Sequence, residues 1–193
     1  MSPEQAELLE RLRLRDENAF AEIVRAYQDR IVNLMYGMLH NYDDAVEAAQ
    51  EAFLKAFRAI DSFKGESQIY TWLCRIAMNT ASSARRSPRR KMEEAALSLD
   101  EPVEGKSGAM SRQIAGGEPG PADAAERNET EAAVRAAIER LDDEFRAVVV
   151  LKDIEGFDYQ ETAEILGIPR GTVKSRLHRA RMMLRDFLKG VVQ

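Results

Sequence analysis

Residues 92–128 divide the chain. This stretch of 37 residues holds five of the eleven glycines (Gly105, Gly108, Gly116, Gly117, Gly120) and three of the six prolines (Pro102, Pro119, Pro121), and no aromatic residue. It has no apolar period. Such a segment buries too little surface to offset its ordering entropy, and it is expected to be a flexible acidic linker. Two stretches remain in a chain of 193 residues, 1–91 and 129–193, each long enough for one small domain. No internal repeat of fixed period is present.

Both stretches carry the period of a helix with one buried face. Phe20, Ile23, Val24, Tyr27, Ile31, Leu34, Met35 and Met38 recur at three- and four-residue spacing. Asp43 or Asp44 is placed to cap a following helix through Ala48 to Ile60, with Phe53, Leu54 and Phe57 as its apolar stripe. Lys64-Gly65-Glu66-Ser67 reads as a loop. Tyr70 to Ala84 resumes helical patterning, and Ser87-Pro88 ends it. The valine run Val148–Val150 fits a buried helix, and strand-like alternation is absent. The expected fold class is all-α.

Charge is unevenly spread. The net charge of -5 contains two basic blocks, +5 over residues 61–91 and +6 over residues 167–193, within segments that are otherwise acidic. An acidic whole argues against indiscriminate polyanion binding, but each basic block is suited to touch nucleic acid. The alternative is that the basic blocks are solvated helix faces. Cys74 is the single cysteine, so neither an intramolecular disulfide nor a multi-cysteine zinc site is available. It reads as a small buried hydrophobe. His40 and His178 lie far apart, so no metal site is expected. The N-terminal residues lack an apolar signal region, and Ala147 to Leu151 is too short to span a bilayer. These features predict a cytoplasmic protein.

The last forty residues carry the sharpest local pattern. Asp158 and Glu161 are spaced as a capping box opening a helix over Tyr159 to Leu166. Gly167 suits a tight turn, and Pro169 suits the first turn of a second helix running to about Leu188. Ala163, Gly167 and Val173 fall where two helices cross closely in a helix-turn-helix. Val173, Leu177, Ala180 and Leu184 form an inward stripe. Lys174, Ser175, His178 and Arg179 lie opposite, flanked by Arg170, Arg176 and Arg181. An apolar back and a basic front suit entry into a DNA major groove. The competing reading is an ordinary amphipathic helix with a charged outer face.

VVVLKDIEGFDYQETAEILGIPRGTVKSRLHRARMMLR resembles the fourth region of bacterial RNA polymerase sigma factors of the extracytoplasmic-function (ECF) group. DDAVEAAQEAFLKAFRAI, from Asp43, resembles their second region, and DSFKGESQIYTWLCRIAMN is similar to their promoter-opening segment. The resemblance covers nearly the whole chain except the linker. It implies two helical domains, 1–91 docking on core polymerase and melting the −10 element, and 129–193 reading the −35 element. The implied partners are core RNA polymerase, through its β′ clamp helices and β flap, double- and single-stranded promoter DNA, and an anti-sigma factor. A stress or envelope response is implied. No cofactor, small-molecule substrate or membrane insertion is expected.

The resemblance also assigns residues. Asp44, Glu47, Gln50, Glu51, Phe53 and Leu54 match the polymerase-docking helix, although Phe53 and Leu54 also suit a core. Lys64, Gly65, Glu66, Ser67 and Gln68 match the loop that captures a flipped −10 base. Tyr70, Trp72, Arg75 and Asn79 match the melting surface, where aromatics stack on unpaired bases and cations hold phosphates; Tyr70 and Trp72 are equally suited to a core. Arg85, Arg86, Arg89 and Arg90 match upstream backbone contacts. In the fourth region, Arg170, Thr172, Lys174, Ser175, Arg176, His178, Arg179 and Arg181 match the −35 contacts. The linker is implied to thread the polymerase cleft.

Two other classes fit parts of the pattern. A ligand-responsive helix-turn-helix repressor requires a sensing pocket in residues 1–91. A DNA recombinase requires a catalytic nucleophile on a mixed sheet, and no nucleophile–base arrangement or Gly-rich phosphate loop is present.

Overall fold

The computed structural model describes residues 3–86 and 121–189. Among them the secondary structure is helical, with no strand. The first block contains α1 (Pro3–Arg13), α2 (Glu17–Leu39), α3 (Tyr42–Ala59), a 3₁₀ turn (Ile60–Ser62) and α4 (Ile69–Arg85). The second contains α5 (Pro121–Glu139), α6 (Asp143–Val149), a π turn (Val150–Ile154), α7 (Tyr159–Leu166) and α8 (Arg170–Leu188).

Local chemistry sets the helix ends. The Asp16 side chain accepts the Asn18 amide at the start of α2. His40 closes that helix in the left-handed region at φ 57. Asn41 caps α3 by accepting the Asp44 amide, so the cap falls before Asp43 and Asp44, which lie in the first helical turn. There their charge complements the helix dipole. α4 ends at Arg85; Ser87 and Pro88 lie outside the described residues. The helix α1, whose Leu9 and Leu12 are buried, was not marked by the sequence pattern. α5 begins at Pro121, within the segment expected to be linker. Proline suits a first helical turn, and the following Ala- and Glu-rich residues favour helix. Residues 92–120 of that segment lie outside the described residues.

One core joins α2, α3 and α4 around Leu34, Met35, Phe53, Leu73 and Ala77. It continues into the second block through Ala147, Val150, Leu151, Phe157 and Ile165. A second core holds Val148, Val149, Ala163, Val173, Leu177 and Ala180. The run from Ala147 to Leu151 is buried on all sides because it serves both cores at once.

Arg146 is the large buried cation of the described chain, 1% exposed. Its Nε donates to the Ile138 carbonyl, and its Nη2 donates to the carbonyls of Glu139 and Leu141. Its Nη1 reaches the Met38 carbonyl at 3.3 Å and Asp143 Oδ1 at 3.2 Å. A guanidinium has five N–H donors, and five acceptors surround this one. The Ile138 carbonyl also accepts the Leu141 amide, while the Glu139 and Leu141 carbonyls, at and just past the end of α5, take their donors from this guanidinium.

Candidate nucleic-acid interface

The capping box at Asp158 is complete. Its Oδ1 accepts the amides of Gln160 and Glu161, and Glu161 returns a carboxylate to the Asp158 amide. The bonds from Glu161 and then Gln160 hold the Asp158 carboxyl below the usual carboxylate range. Gly167 takes the left-handed conformation at φ 65, and its amide bonds back to Ala163. This turn sets α8 across α7, with Ala163 and Val173 in one core. α7 and α8 occupy the spans expected of a helix-turn-helix.

Packing decides which face of α8 meets solvent. Val173, Leu177 and Ala180 are buried, and Leu184 is half-buried. Lys174, Ser175, His178 and Arg179 are exposed, as are Arg170 and Arg181, while Thr172 and Arg176 are half-buried. The exposed face is therefore a row of cations and hydrogen-bonding groups along a rigid helix, suited to base edges and phosphates. Two flanking arginines are engaged within the block. Arg176 pairs with Glu144. Arg181 makes a two-bond contact to Asp153, at 3.1 and 2.6 Å, which raises its pKa further.

The face expected on α3 is partly as read. Glu47, Gln50, Glu51 and Leu54 are exposed at three- and four-residue spacing, with Asp44 half-buried at the same end. Leu54 is 54% exposed, an apolar centre among acidic and amide groups. Glu51 pairs with Lys55 one turn on. Phe53 points the other way into the core. The residues between helices α3 and α4 form a loop, where Lys64, Glu66 and Gln68 are exposed and Gly65 and Ser67 half-buried. Gly65 has φ 76, a conformation that favours glycine.

Along α4, Arg75 and Asn79 are exposed on one face, one turn apart. Trp72 is half-buried against Phe63, with ring centroids 5.1 Å apart. Tyr70 is buried. Burial, with Cys74 and Glu155 alongside, keeps its hydroxyl protonated well above the ordinary range. Cys74 is buried as expected, and burial pushes its thiol up to about 12. Arg85 bonds to the Met38 carbonyl and pairs with Asp143, while Arg86 is exposed. Arg89 and Arg90 lie outside the described residues. A cleft of about 280 Å³ separates Glu66, Ser67, Trp72 and Arg75 from Glu164 and Ile165 of α7.

Arg146, Asp143, Glu155 and Phe157 join the two blocks and were missed in the sequence. The one available signal was an arginine set beside a continuous apolar run. Among the described residues there is no group of three metal-ligating side chains, and no helix is long and apolar enough to cross a membrane.

Comparison with known proteins gives matches at both blocks. The model for Sigma-70 region 2 matches residues 23–91, and the model for Sigma-70, region 4 matches residues 131–184. The chain is 34% identical over 187 residues to the RNA polymerase sigma-H factor of Pseudomonas aeruginosa, covering 97% of this chain and 95% of that one. It is 41% identical over 175 residues to the ECF RNA polymerase sigma factor SigW of Bacillus subtilis, covering 90% and 91%. Among solved structures, the fold is similar to that of the sigma factor RpoE from Bartonella quintana, solved in complex with the anti-sigma factor NepR. The TM-score is 0.66 at 24% identity, over 89% of this chain and 97% of the other.

Proposed function

The chain belongs to the ECF group of sigma-70 RNA polymerase sigma factors, and from that membership we propose how its two blocks divide the work of directing core RNA polymerase to promoters. Residues 1–91 form the region 2 domain, which docks on polymerase and opens the −10 element. Residues 129–193 form the region 4 domain, which reads the −35 element, and residues 92–128 tether the two. The protein is a transcription initiation factor, and the chemistry of RNA synthesis belongs to the polymerase.

The observation that carries this division is the orientation of α8. Its stripe of Val173, Leu177 and Ala180 is buried, which leaves Lys174, Ser175, His178 and Arg179 facing outward. Those four read bases, while Arg170, Arg176 and Arg181 hold phosphates after Arg176 and Arg181 exchange their carboxylate partners for DNA. Thr172 lies at the helix start and contributes to the same contact.

On region 2, Glu47, Gln50, Glu51 and Leu54, with Asp44, meet the β′ clamp helices. Phe53 supports that face from behind. The loop from Lys64 to Gln68 accepts the flipped −10 base, and Trp72, Arg75, Asn79 and Arg86 line the path of the opened strand. Region 4 also contacts the β flap. A dedicated anti-sigma factor holds the protein inactive until a stress or envelope signal releases it.

Run-off transcription with purified core polymerase on a genomic promoter library tests the central reading. The full chain is expected to start transcripts at a discrete promoter set, and neither block alone is expected to do so, because linking two weak contacts raises effective concentration. Failure of the full chain to bind core polymerase would overturn it. For the inhibitor, purification from unstressed cells is expected to yield a second protein at equal amounts. Recovery of polymerase alone would count against it.

A further inference from the structure

The segment before α7 does more than connect elements. The Tyr70 ring of α4 stacks against Tyr27 of α2, with centroids 5.2 Å apart, and against Phe157 of the second block at 5.5 Å and an interplanar angle of 15°. The Arg30 guanidinium lies 3.7 Å from the centre of that ring. The Tyr70 hydroxyl donates to Glu155 Oε2 at 2.9 Å, and the same carboxylate oxygen lies 4.0 Å from Arg30. The Glu155 side chain is only 10% exposed. Tyr27, Arg30 and Tyr70 thus form a cradle on region 2, and Glu155 and Phe157 fill it with a carboxylate and a flat ring. A buried carboxylate is tolerated there because a guanidinium and a hydroxyl both face it.

Two further contacts hold the same closure. Arg85 and Arg146 both donate to the Met38 carbonyl and both meet Asp143. Gly37 of α2 packs directly on the π turn, where a Cβ would lie 3.2 Å from both γ-methyl groups of Val150. The closure occupies Tyr70 and Arg85, which the family resemblance matches to the melting surface and the upstream backbone. It also sets Glu164 and Ile165 across the cleft from Trp72 and Arg75, which the proposed function gives to the opened strand. The −10 and −35 elements lie about 25 base pairs apart, about 85 Å at 3.4 Å per base pair. Two blocks in hydrogen-bonding contact do not span that distance.

We propose that Glu155 and Phe157, seated in the Tyr27–Arg30–Tyr70 cradle, clasp region 4 onto region 2 in the free chain, mask the −10 surface, and must leave the cradle before initiation. This rests on the sigma-factor reading, deepened here by naming the contact that opens.

A reversible lock tests it. The Cβ built at Gly37 lies 3.9 Å from the Val150 Cβ, within the span of a disulfide. In the full-length G37C/V150C double variant the γ-methyl groups that crowd position 37 are gone. The oxidised protein, its disulfide verified by mass spectrometry, is expected to give at least about tenfold less run-off transcript than wild type without reductant, with recovery on adding dithiothreitol. Wild-type levels from the oxidised protein would overturn the proposal. Inactivity of both wild type and the reduced variant would instead refute the sigma-factor reading itself. An independent variant, E155Q/F157A, is expected to increase the radius of gyration of the free chain in small-angle X-ray scattering. A radius unchanged from wild type would also overturn the clasp.

Discussion

Arg146 donates a hydrogen bond to the carbonyl of Met38, 108 residues earlier in the chain, and so ties the second helical block to the end of α2. The same guanidinium closes the end of α5. Replacing it with alanine takes the guanidinium donor from the Glu139 and Leu141 carbonyls, at about 1–3 kcal/mol for each one that water does not reach, whereas the Met38 carbonyl keeps Arg85 and the Ile138 carbonyl keeps the Leu141 amide. We expect R146A to lower the urea midpoint sharply. R146K is expected to recover little, because an ammonium has three donors without the planar fork. A midpoint within error of wild type for R146A would contradict the role assigned to this residue.

Two adjacent residues of α3 are expected to separate docking from folding. Phe53 is buried, and F53A is expected to cost about 3–5 kcal/mol of stability. Leu54 is exposed, and L54K is expected to leave the denaturation midpoint unchanged while weakening core-polymerase binding by about 2 kcal/mol. Measuring both properties for both variants checks the assignment. Equal polymerase affinity for wild type and L54K would move the docking face elsewhere.

Arg179 and Arg181 are expected to behave differently on −35 DNA. R179A should cost about 1–3 kcal/mol on the preferred site and relax the choice at one base position. R181A should weaken all sequences about equally and flatten the salt slope by about one unit. Because Asp153 holds Arg181 in the free chain, D153N is expected to strengthen binding uniformly. Fluorescence anisotropy with holoenzyme and a panel of −35 variants reads all three. A uniform loss for R179A would remove that face from base reading.

Asp158 predicts an acid-sensitive cap. Its carboxyl titrates below its unfolded value because the amides of Glu161 and Gln160 bond to the charged form. The stabilisation is therefore present above the unfolded pKa, about 3.9, and is lost as pH falls through the depressed folded value. D158N retains a capping oxygen and is expected to remove that part of the acid sensitivity while keeping the helix. D158A should lower the melting temperature at neutral pH. Thermal melts from pH 2 to 7 check both variants.

Cys74 is expected to resist alkylation. Its thiol is buried and pushed up to about 12 by that burial, so little thiolate forms near neutrality. Iodoacetamide at pH 8 should leave the native chain unmodified and label about one site per chain in guanidinium, as expected for a single cysteine. Rapid labelling of the native chain would show that α4 opens far more readily than its packing implies.

Much of the second block was legible in local sequence. Asp158, Glu161, Gly167 and the stripe Val173–Leu177–Ala180 act over three or four residues, so their spacing alone specifies two helices, a turn and an outward basic face. The all-helical class follows from the same short-range period, whereas Glu47, Gln50 and Glu51 were singled out by the family resemblance and are exposed on α3. Tertiary packing decided the rest. Asn41 took the cap expected of Asp43 or Asp44, because all three residues have capping side chains and only the docked chain selects among them. Phe53 turned inward and Leu54 outward because α2 and α4 set the rotation of α3, which its apolar pattern leaves open. Arg146 meets the Met38 carbonyl across 108 residues, besides carbonyls of the turn just before it, and Glu155 meets Tyr70 across 85 residues. No local period encodes such contacts, because a buried charge is acceptable only once the whole fold has brought its partners to it.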